Sequence, residues 1–123
     1  MKSLVAFFAR LKMRFIWSWA GIRDAWVHQP SFRSWIWANF ASLVLALVLP
    51  LSGGERAVIL ALGVLVLAAE AMNTAIEYTV DYISTDQHPL AGRAKDAASA
   101  GVFLTAIAAG VAWLVALCGL IWG

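Results

Sequence analysis

Hydrophobic and polar positions follow two different patterns along this chain. Over the first 28 residues, large apolar side chains recur at steps of three and four, which predicts an amphipathic helix over residues 1–28. These side chains are Leu4, Phe8, Leu11, Phe15, Trp19, Ile22 and Trp26. The rest of the chain holds three long apolar runs. They predict membrane-spanning helices over residues 34–50, 56–82 and 96–122.

Short polar or turn-forming segments separate these helices. Pro30 cannot continue the first helix, but it suits the first turn of the next one. Residues 50–54, with the sequence Pro-Leu-Ser-Gly-Gly, predict a tight turn in which Ser52 or Gly53 caps the following span. Residues 84–93 predict a polar loop, after which the third span begins at Lys95 and Asp96. Within that span, the small pair Ala106 and Gly110 predicts close packing against other helices.

Composition supports the assignment to a membrane. Of the 123 residues, 63% are hydrophobic and 13% are charged, and a water-soluble domain of this size cannot bury that much apolar surface. No linker, low-complexity run or internal repeat divides the chain, so we expect one domain over residues 1–123. The predicted fold class is an all-α membrane protein with an amino-terminal interfacial helix and three transmembrane helices.

The basic residues are distributed unevenly. Six of the nine lie before Ser34, only Arg56 lies near the first loop between spans, and Arg93 and Lys95 lie at the second. The positive-inside rule therefore places the amino-terminal helix and the second loop in the cytoplasm, with the first loop and the carboxyl terminus outside. The basic helix is expected to lie on the anionic inner leaflet, and no nucleic-acid partner is expected.

A row of polar side chains follows the apolar part of the second span. Glu70, Asn73, Glu77 and Asp81 are spaced by three and four residues, so they share a stripe roughly 80° wide on one side of a helix. Ionisable groups inside a membrane are costly and mark functional sites. Glu70 lies roughly 20 Å from the outer end of its helix, within the inner part of the hydrocarbon. A carboxylate at that depth suits a general base that acts on a hydroxyl.

These residue types, taken together, suit phosphoryl transfer. Glu77 and Asp81 lie nearer the water, where carboxylates bind Mg²⁺. Asn73 can contact a phosphate oxygen, and Lys95 is expected at a helix amino terminus, where the macrodipole also favours anions. The hydroxyl that Glu70 would activate has to come from the lipid. The stripe therefore indicates transfer of a phosphoryl group from Mg·ATP to a lipid alcohol.

Two other interpretations of these residues stay open. The acids and Lys95 can form ion pairs that only hold the bundle together, or they can line a cation path in a small transporter. Trp17 on the first helix lies near Arg10 and Arg14, which suits either an interfacial tryptophan or a stacked nucleobase with its phosphates. The chain contains no Walker A motif, kinase glycine loop or metal-binding Cys/His cluster.

The segment Glu70-Ala-Met-Asn73-Thr-Ala-Ile-Glu77, followed by His88-Pro-Leu-Ala-Gly-Arg-Ala-Lys95-Asp96, resembles the prokaryotic diacylglycerol kinase family. Trp19-Ala-Gly21, Ala25-Trp26 and Phe32-Arg33 extend the resemblance over nearly the whole chain. The resemblance implies a small homotrimeric kinase in the bacterial cytoplasmic membrane. It also implies ATP-dependent phosphorylation of diacylglycerol with Mg²⁺ as cofactor.

The same resemblance implies roles for individual residues. Glu70 would be the catalytic base, and Glu77 would bind the metal. The lipid substrate would contact Arg10, Glu70 and Ser99. ATP would be bound by Arg10, Trp17, Asn73, Glu77, Asp86, Gln87, His88, Lys95 and Asp96.

Gln29 is a departure from the family pattern. The family has a glutamate at this position, where it shares the metal with Glu77, and Gln29 offers only a neutral oxygen. We therefore expect weaker Mg²⁺ binding, a metal held partly by the ATP phosphates, or help from His28.

Gly92-Arg93 resembles the diacylglycerol branch of the family. The undecaprenol branch usually has Asn where Ser31 stands here, and undecaprenol kinase remains the alternative.

Overall fold

Four helices, in a computed structural model, make up almost the entire chain. The structure describes the backbone of residues 1–123 and every side chain except that of Lys2. The helices are α1 (Lys2–His28), α2 (Pro30–Val48), α3 (Gly53–Ile83) and α4 (Pro89–Trp122). Three of them, α2, α3 and α4, are long and apolar enough to cross a membrane. The predicted fold class is confirmed.

Helix α1 contacts the other helices only near its carboxyl end. The described side chains up to Arg23 are all exposed, whereas Ala25 is buried. The predicted apolar stripe stays uncovered by the described part of the chain, from Leu4 at 62% exposure to Trp26 at 39%. Such a face has the character of a helix that lies in a membrane interface.

The corner between α1 and α2 is short and firmly anchored. Gln29 is extended (φ −112°, ψ 101°), and Pro30 is the first residue of α2, as predicted. Helix α2 thus begins four residues before the expected start at residue 34. Arg33 Nη1 donates to the carbonyls of Trp26 (2.8 Å) and Val27 (3.1 Å), which have no partner further along α1.

At the corner between α2 and α3, hydrogen bonds again satisfy the backbone groups at the helix ends. Ser52, one of the two predicted caps, caps α3: its Oγ accepts from Glu55 N (3.2 Å), while Glu55 Oε2 accepts from Ser52 N (2.7 Å). Arg56 Nε and Nη2 then donate to the carbonyls of Ala46 (2.7 Å) and Leu49 (3.1 Å) at the end of α2. At both corners an arginine of the following helix satisfies the carbonyls of the preceding one.

Helix α4 begins earlier than expected. Its first residue is Pro89, and His88 Nδ1 accepts from Leu90 N (3.1 Å) as an amino-terminal cap. The predicted loop over residues 84–93 was therefore wrong in its second half, because a proline in the first turn and a capping side chain before it start a helix there. Lys95 lies in the second turn of α4, so its expected position at a helix amino terminus was also wrong.

Helices α2 and α3 are in close contact at Gly63. A Cβ atom added to Gly63 on α3 would overlap Asn39 Oδ1 of α2 and lie 3.2 Å from Asn39 Cγ. At Gly110 of α4, an added Cβ would meet nothing within 4 Å, so the predicted Ala106–Gly110 pair is not a close approach within the chain. Trp113 Nε1 donates to Ser42 Oγ (2.9 Å) and thereby joins α4 to α2.

Candidate active site

The polar stripe of α3 is graded by burial. Glu70 and Asn73 are buried, with 5% and 9% of their surface exposed, whereas Glu77 is half-buried and Asp81 is exposed. The four residues face the same side of α3 as the buried Gly63 and Val66. Thr74, which is 5% exposed, lies at the edge of the same stripe. The rest of the chain therefore covers the stripe most at Glu70 and Asn73 and least at Asp81.

Glu70 is held by the first turn of α2. Ser31 Oγ donates a hydrogen bond to Glu70 Oε1 across 39 positions of sequence. Glu70 Oε2 accepts no hydrogen bond from the described residues, and it is not among the buried polar atoms that lack a partner. This second oxygen therefore reaches the molecular surface. Sequence analysis did not identify Ser31 as part of the site.

Asn73 and Thr74 place two unsatisfied oxygens beside Glu70. Asn73 Nδ2 donates to Glu77 Oε1 (3.1 Å), but Asn73 Oδ1 and Thr74 Oγ1 are buried and have no partner among the described residues. Other threonines in these helices behave differently: Thr79 and Thr105 each donate to the carbonyl four residues earlier at 2.7 Å. Because buried polar atoms are nearly always hydrogen-bonded, these two oxygens mark a place for a ligand or water.

Gln29 lies beside the turn of α3 that carries Glu77. Gln29 Nε2 donates to Tyr78 Oη (3.3 Å), and Tyr78 Oη donates to Asp24 Oδ2 (3.0 Å). His28 Nδ1 lies 3.0 Å from Asp24 Oδ1 and is thereby directed towards that carboxylate. No hydrogen bond joins Gln29 to Glu77 among the described side chains. Gln29 therefore contacts α3 at Tyr78, the residue after Glu77.

Glu77 and Gln29 each carry an oxygen of the kind that suits Mg²⁺. One carboxylate on Glu77 and one neutral amide oxygen on Gln29 are hard donors, and Mg²⁺ sites commonly combine one or two carboxylates with substrate phosphates. Within the described side chains, no group of three His, Cys, Asp or Glu residues is placed to hold a metal. This donor set fits a metal that is held mainly by nucleotide phosphates.

The connection between α3 and α4 encloses a second polar region. A cavity of about 270 Å³ is lined by Asp86, Gln87 and His88 together with Asp81 and Lys95. Lys95 Nζ lies 2.6 Å from Asp81 Oδ1, and these side chains are 39% and 51% exposed. Pockets for small molecules usually measure roughly 300–1,000 Å³, and a neighbouring pocket of about 490 Å³ shares Asp86, Gln87 and His88 with this cavity.

Four predicted residues lie apart from this cavity. Arg10 and Trp17 are on the exposed part of α1, and Asp96 and Ser99 are exposed on α4. None of the four forms a side-chain hydrogen bond, an ion pair or an aromatic contact with the described side chains. A single chain thus joins Asn73 to Glu77 on α3 and lines the loop cavity with Lys95, but it does not bring Arg10 or Trp17 to either group.

Known proteins resemble this chain over most of its length. A model of the family described as "Prokaryotic diacylglycerol kinase" matches residues 16–117. The protein named Diacylglycerol kinase of Escherichia coli (strain K12) is 37% identical over 101 residues, which cover 82% of this chain and 83% of the relative. The protein of the same name in Pseudomonas aeruginosa is 38% identical over 103 residues, covering 84% of each. A third relative of that name, in Helicobacter pylori, is 34% identical over 93 residues, covering 76% of this chain and 73% of the relative.

Proposed function

Because this chain belongs to the prokaryotic diacylglycerol kinase family and is a lipid kinase, we propose that it transfers the γ-phosphoryl group of ATP to diacylglycerol. The product would be phosphatidic acid, formed at the cytoplasmic face of the bacterial inner membrane. One observation carries the proposal: the carboxylate of Glu70 is buried within a membrane helix, with one oxygen held and the other accessible.

Glu70 acts in this proposal as the general base. Its accessible Oε2 accepts the proton of the lipid hydroxyl while the hydroxyl oxygen attacks the γ-phosphorus. A bond forms between that oxygen and phosphorus, and the bond from phosphorus to the β,γ-bridging oxygen breaks and releases ADP. Little covalent chemistry is required of the protein beyond this proton transfer, because positioning and charge neutralisation supply most of the rate enhancement.

Asn73, Lys95 and the loop bind ATP in this proposal. Asn73 Nδ2 donates one hydrogen to Glu77 and keeps a second one for a phosphate oxygen, while the unsatisfied Oδ1 offers an acceptor for a water or a hydroxyl in the site. Lys95 exchanges its partner Asp81 for phosphate, and residues Asp86–His88 close over the nucleotide beside it. Glu77, with Gln29, would hold a Mg²⁺ ion that neutralises charge on the transferring phosphates.

A second copy of the chain completes the site in this proposal, within a homotrimer. One observation supports an incomplete site in one chain: Arg10 and Trp17 lie on the exposed part of α1, away from the loop cavity. The membrane helices also expose large apolar side chains, such as Phe103 at 66% and Leu114 at 63%. These faces are available to lipid or to another copy of the chain.

The test is transfer of labelled γ-phosphate from ATP to lipid in mixed micelles, with diacylglycerol and undecaprenol as separate acceptors. We expect labelled phosphatidic acid, with loss of transfer in Glu70→Gln. Labelling of undecaprenol alone would assign the enzyme to the alternative lipid. Absence of any lipid phosphorylation, together with ion or solute flux in vesicles without ATP, would refute the kinase proposal in favour of a transporter.

A further inference from the structure

We propose that Ser31 is a positioning residue for the general base. Its hydroxyl donates to Glu70 Oε1. In this proposal the bond fixes the carboxylate so that Oε2 is left to face the lipid hydroxyl. The inference rests on the proposed role of Glu70 and deepens it. A glutamate side chain has three rotatable torsions, and a fixed hydrogen bond to one oxygen restricts the direction in which the other points.

The position of Ser31 is well determined by its surroundings. Pro30 immediately before it is the first residue of α2, with its φ angle set by the ring. Phe32 immediately after it is 3% exposed, and Arg33 is bonded to two carbonyls of α1 at 2.8 and 3.1 Å. The Ser31 hydroxyl is thus presented to Glu70 by an anchored helical turn.

The hydrogen bond is not required to hold α2 against α3. Arg56 of α3 already binds the two carbonyls at the end of α2, and Asn39 of α2 lies in close contact with Gly63 of α3. What the bond does specifically is satisfy one oxygen of a buried carboxylate. Without it, Glu70 Oε1 has no partner among the described residues, and the carboxylate is free to turn towards other donors.

The test compares two serines in the same turn of α2. Ser34 Oγ donates only to the Pro30 carbonyl (3.1 Å), so Ser34→Ala removes an identical hydroxyl without affecting Glu70. We expect Ser31→Ala to lower kcat for lipid phosphorylation about 10- to 100-fold with little change in KM for ATP, because a hydrogen bond to a charged group is lost. Ser31→Thr, which keeps the hydroxyl, is expected to retain most of the activity. Ser34→Ala is expected to match the parent chain.

A double substitution separates this inference from the proposed function. With Glu70→Gln present, Ser31→Ala is expected to reduce the residual rate less than about twofold, since both changes act through one group. If Ser31→Ala has the parent kcat while Glu70→Gln is inactive, the positioning role is refuted and the kinase proposal stands. If Glu70→Gln keeps full transfer, the assignment of the base itself fails.

Thermal unfolding in detergent tests whether a lower kcat in Ser31→Ala comes only from a less stable fold. We expect Ser31→Ala to unfold within a few degrees of Ser34→Ala. If it unfolds much earlier, and Ser31→Thr restores neither kcat nor the unfolding temperature, Ser31 only supports the fold and the inference is overturned.

Discussion

Lys95→Met is predicted to weaken ATP binding selectively. The Lys95 ammonium is paired with Asp81 at 2.6 Å. Methionine keeps most of the length of the side chain and removes the charge. The substitution therefore costs the free energy of the lysine–phosphate contact minus the free energy of the lysine–aspartate contact that ATP binding breaks.

The structure allows this difference to be estimated. A hydrogen bond to a charged group contributes about 1.5–3 kcal/mol. The Lys95–Asp81 pair is 39% and 51% exposed, and exposed pairs of this kind contribute about 0–1 kcal/mol. The net loss is then about 0.5–3 kcal/mol, which corresponds to a rise of about 2- to 150-fold in the KM for ATP. The reverse change at the partner, Asp81→Asn, is predicted to lower this KM about two- to fivefold, because Lys95 is released.

The assay is initial-rate phosphorylation of diacylglycerol in mixed micelles over a range of ATP concentrations. Arg93→Gln provides the control: it removes one positive charge two residues from Lys95, from an exposed side chain that does not line the loop cavity. We expect its KM for ATP to stay within about twofold of the parent value. Equal effects of Lys95→Met and Arg93→Gln would refute a specific phosphate contact. A higher KM in Asp81→Asn would refute the competition between Asp81 and phosphate.

Two further predictions concern the metal and the packing of the helices. Gln29→Glu is expected to lower the Mg²⁺ concentration that gives half-maximal activity, because it adds a carboxylate beside the Glu77 turn; an unchanged Mg²⁺ requirement in a titration at fixed ATP would contradict this. Gly63→Ala is expected to destabilise the chain by about 1–3 kcal/mol in thermal unfolding, because the new Cβ overlaps Asn39 Oδ1. Gly101→Ala, where an added Cβ meets nothing within 4 Å, is the matched control, and equal stability of the two variants would contradict the close approach.

Features that depend on local sequence were predicted correctly. Pro30 begins a helix because its ring sets φ and it lacks an N–H, and Ser52 caps one because a serine is followed three residues later by Glu55. The stripe from Glu70 to Asp81 follows directly from helical periodicity. The start of α4 was missed because polar residues after Pro89 resemble a loop, although the proline and His88 mark a helix start.

Features that depend on contact between helices had no sequence signal. The hydrogen bond from Ser31 to Glu70 spans 39 positions, and neither residue indicates the other. Gly63 and Asn39 are single residues within apolar runs, so their close approach depends on how α2 crosses α3. The arginines at the two corners were interpreted only through their charge, whereas in the fold both satisfy helix carbonyls.

The most direct test of the central claim compares ATP binding and phosphoryl transfer in Glu70→Gln. Glutamine keeps the size of the side chain and an acceptor oxygen for Ser31, but it cannot take up the proton of the lipid hydroxyl. Transfer of labelled phosphate to diacylglycerol is predicted to fall about 10²- to 10⁴-fold, while the ATP affinity measured by equilibrium binding changes little. Transfer at the parent rate, with ATP affinity unchanged, would contradict the account.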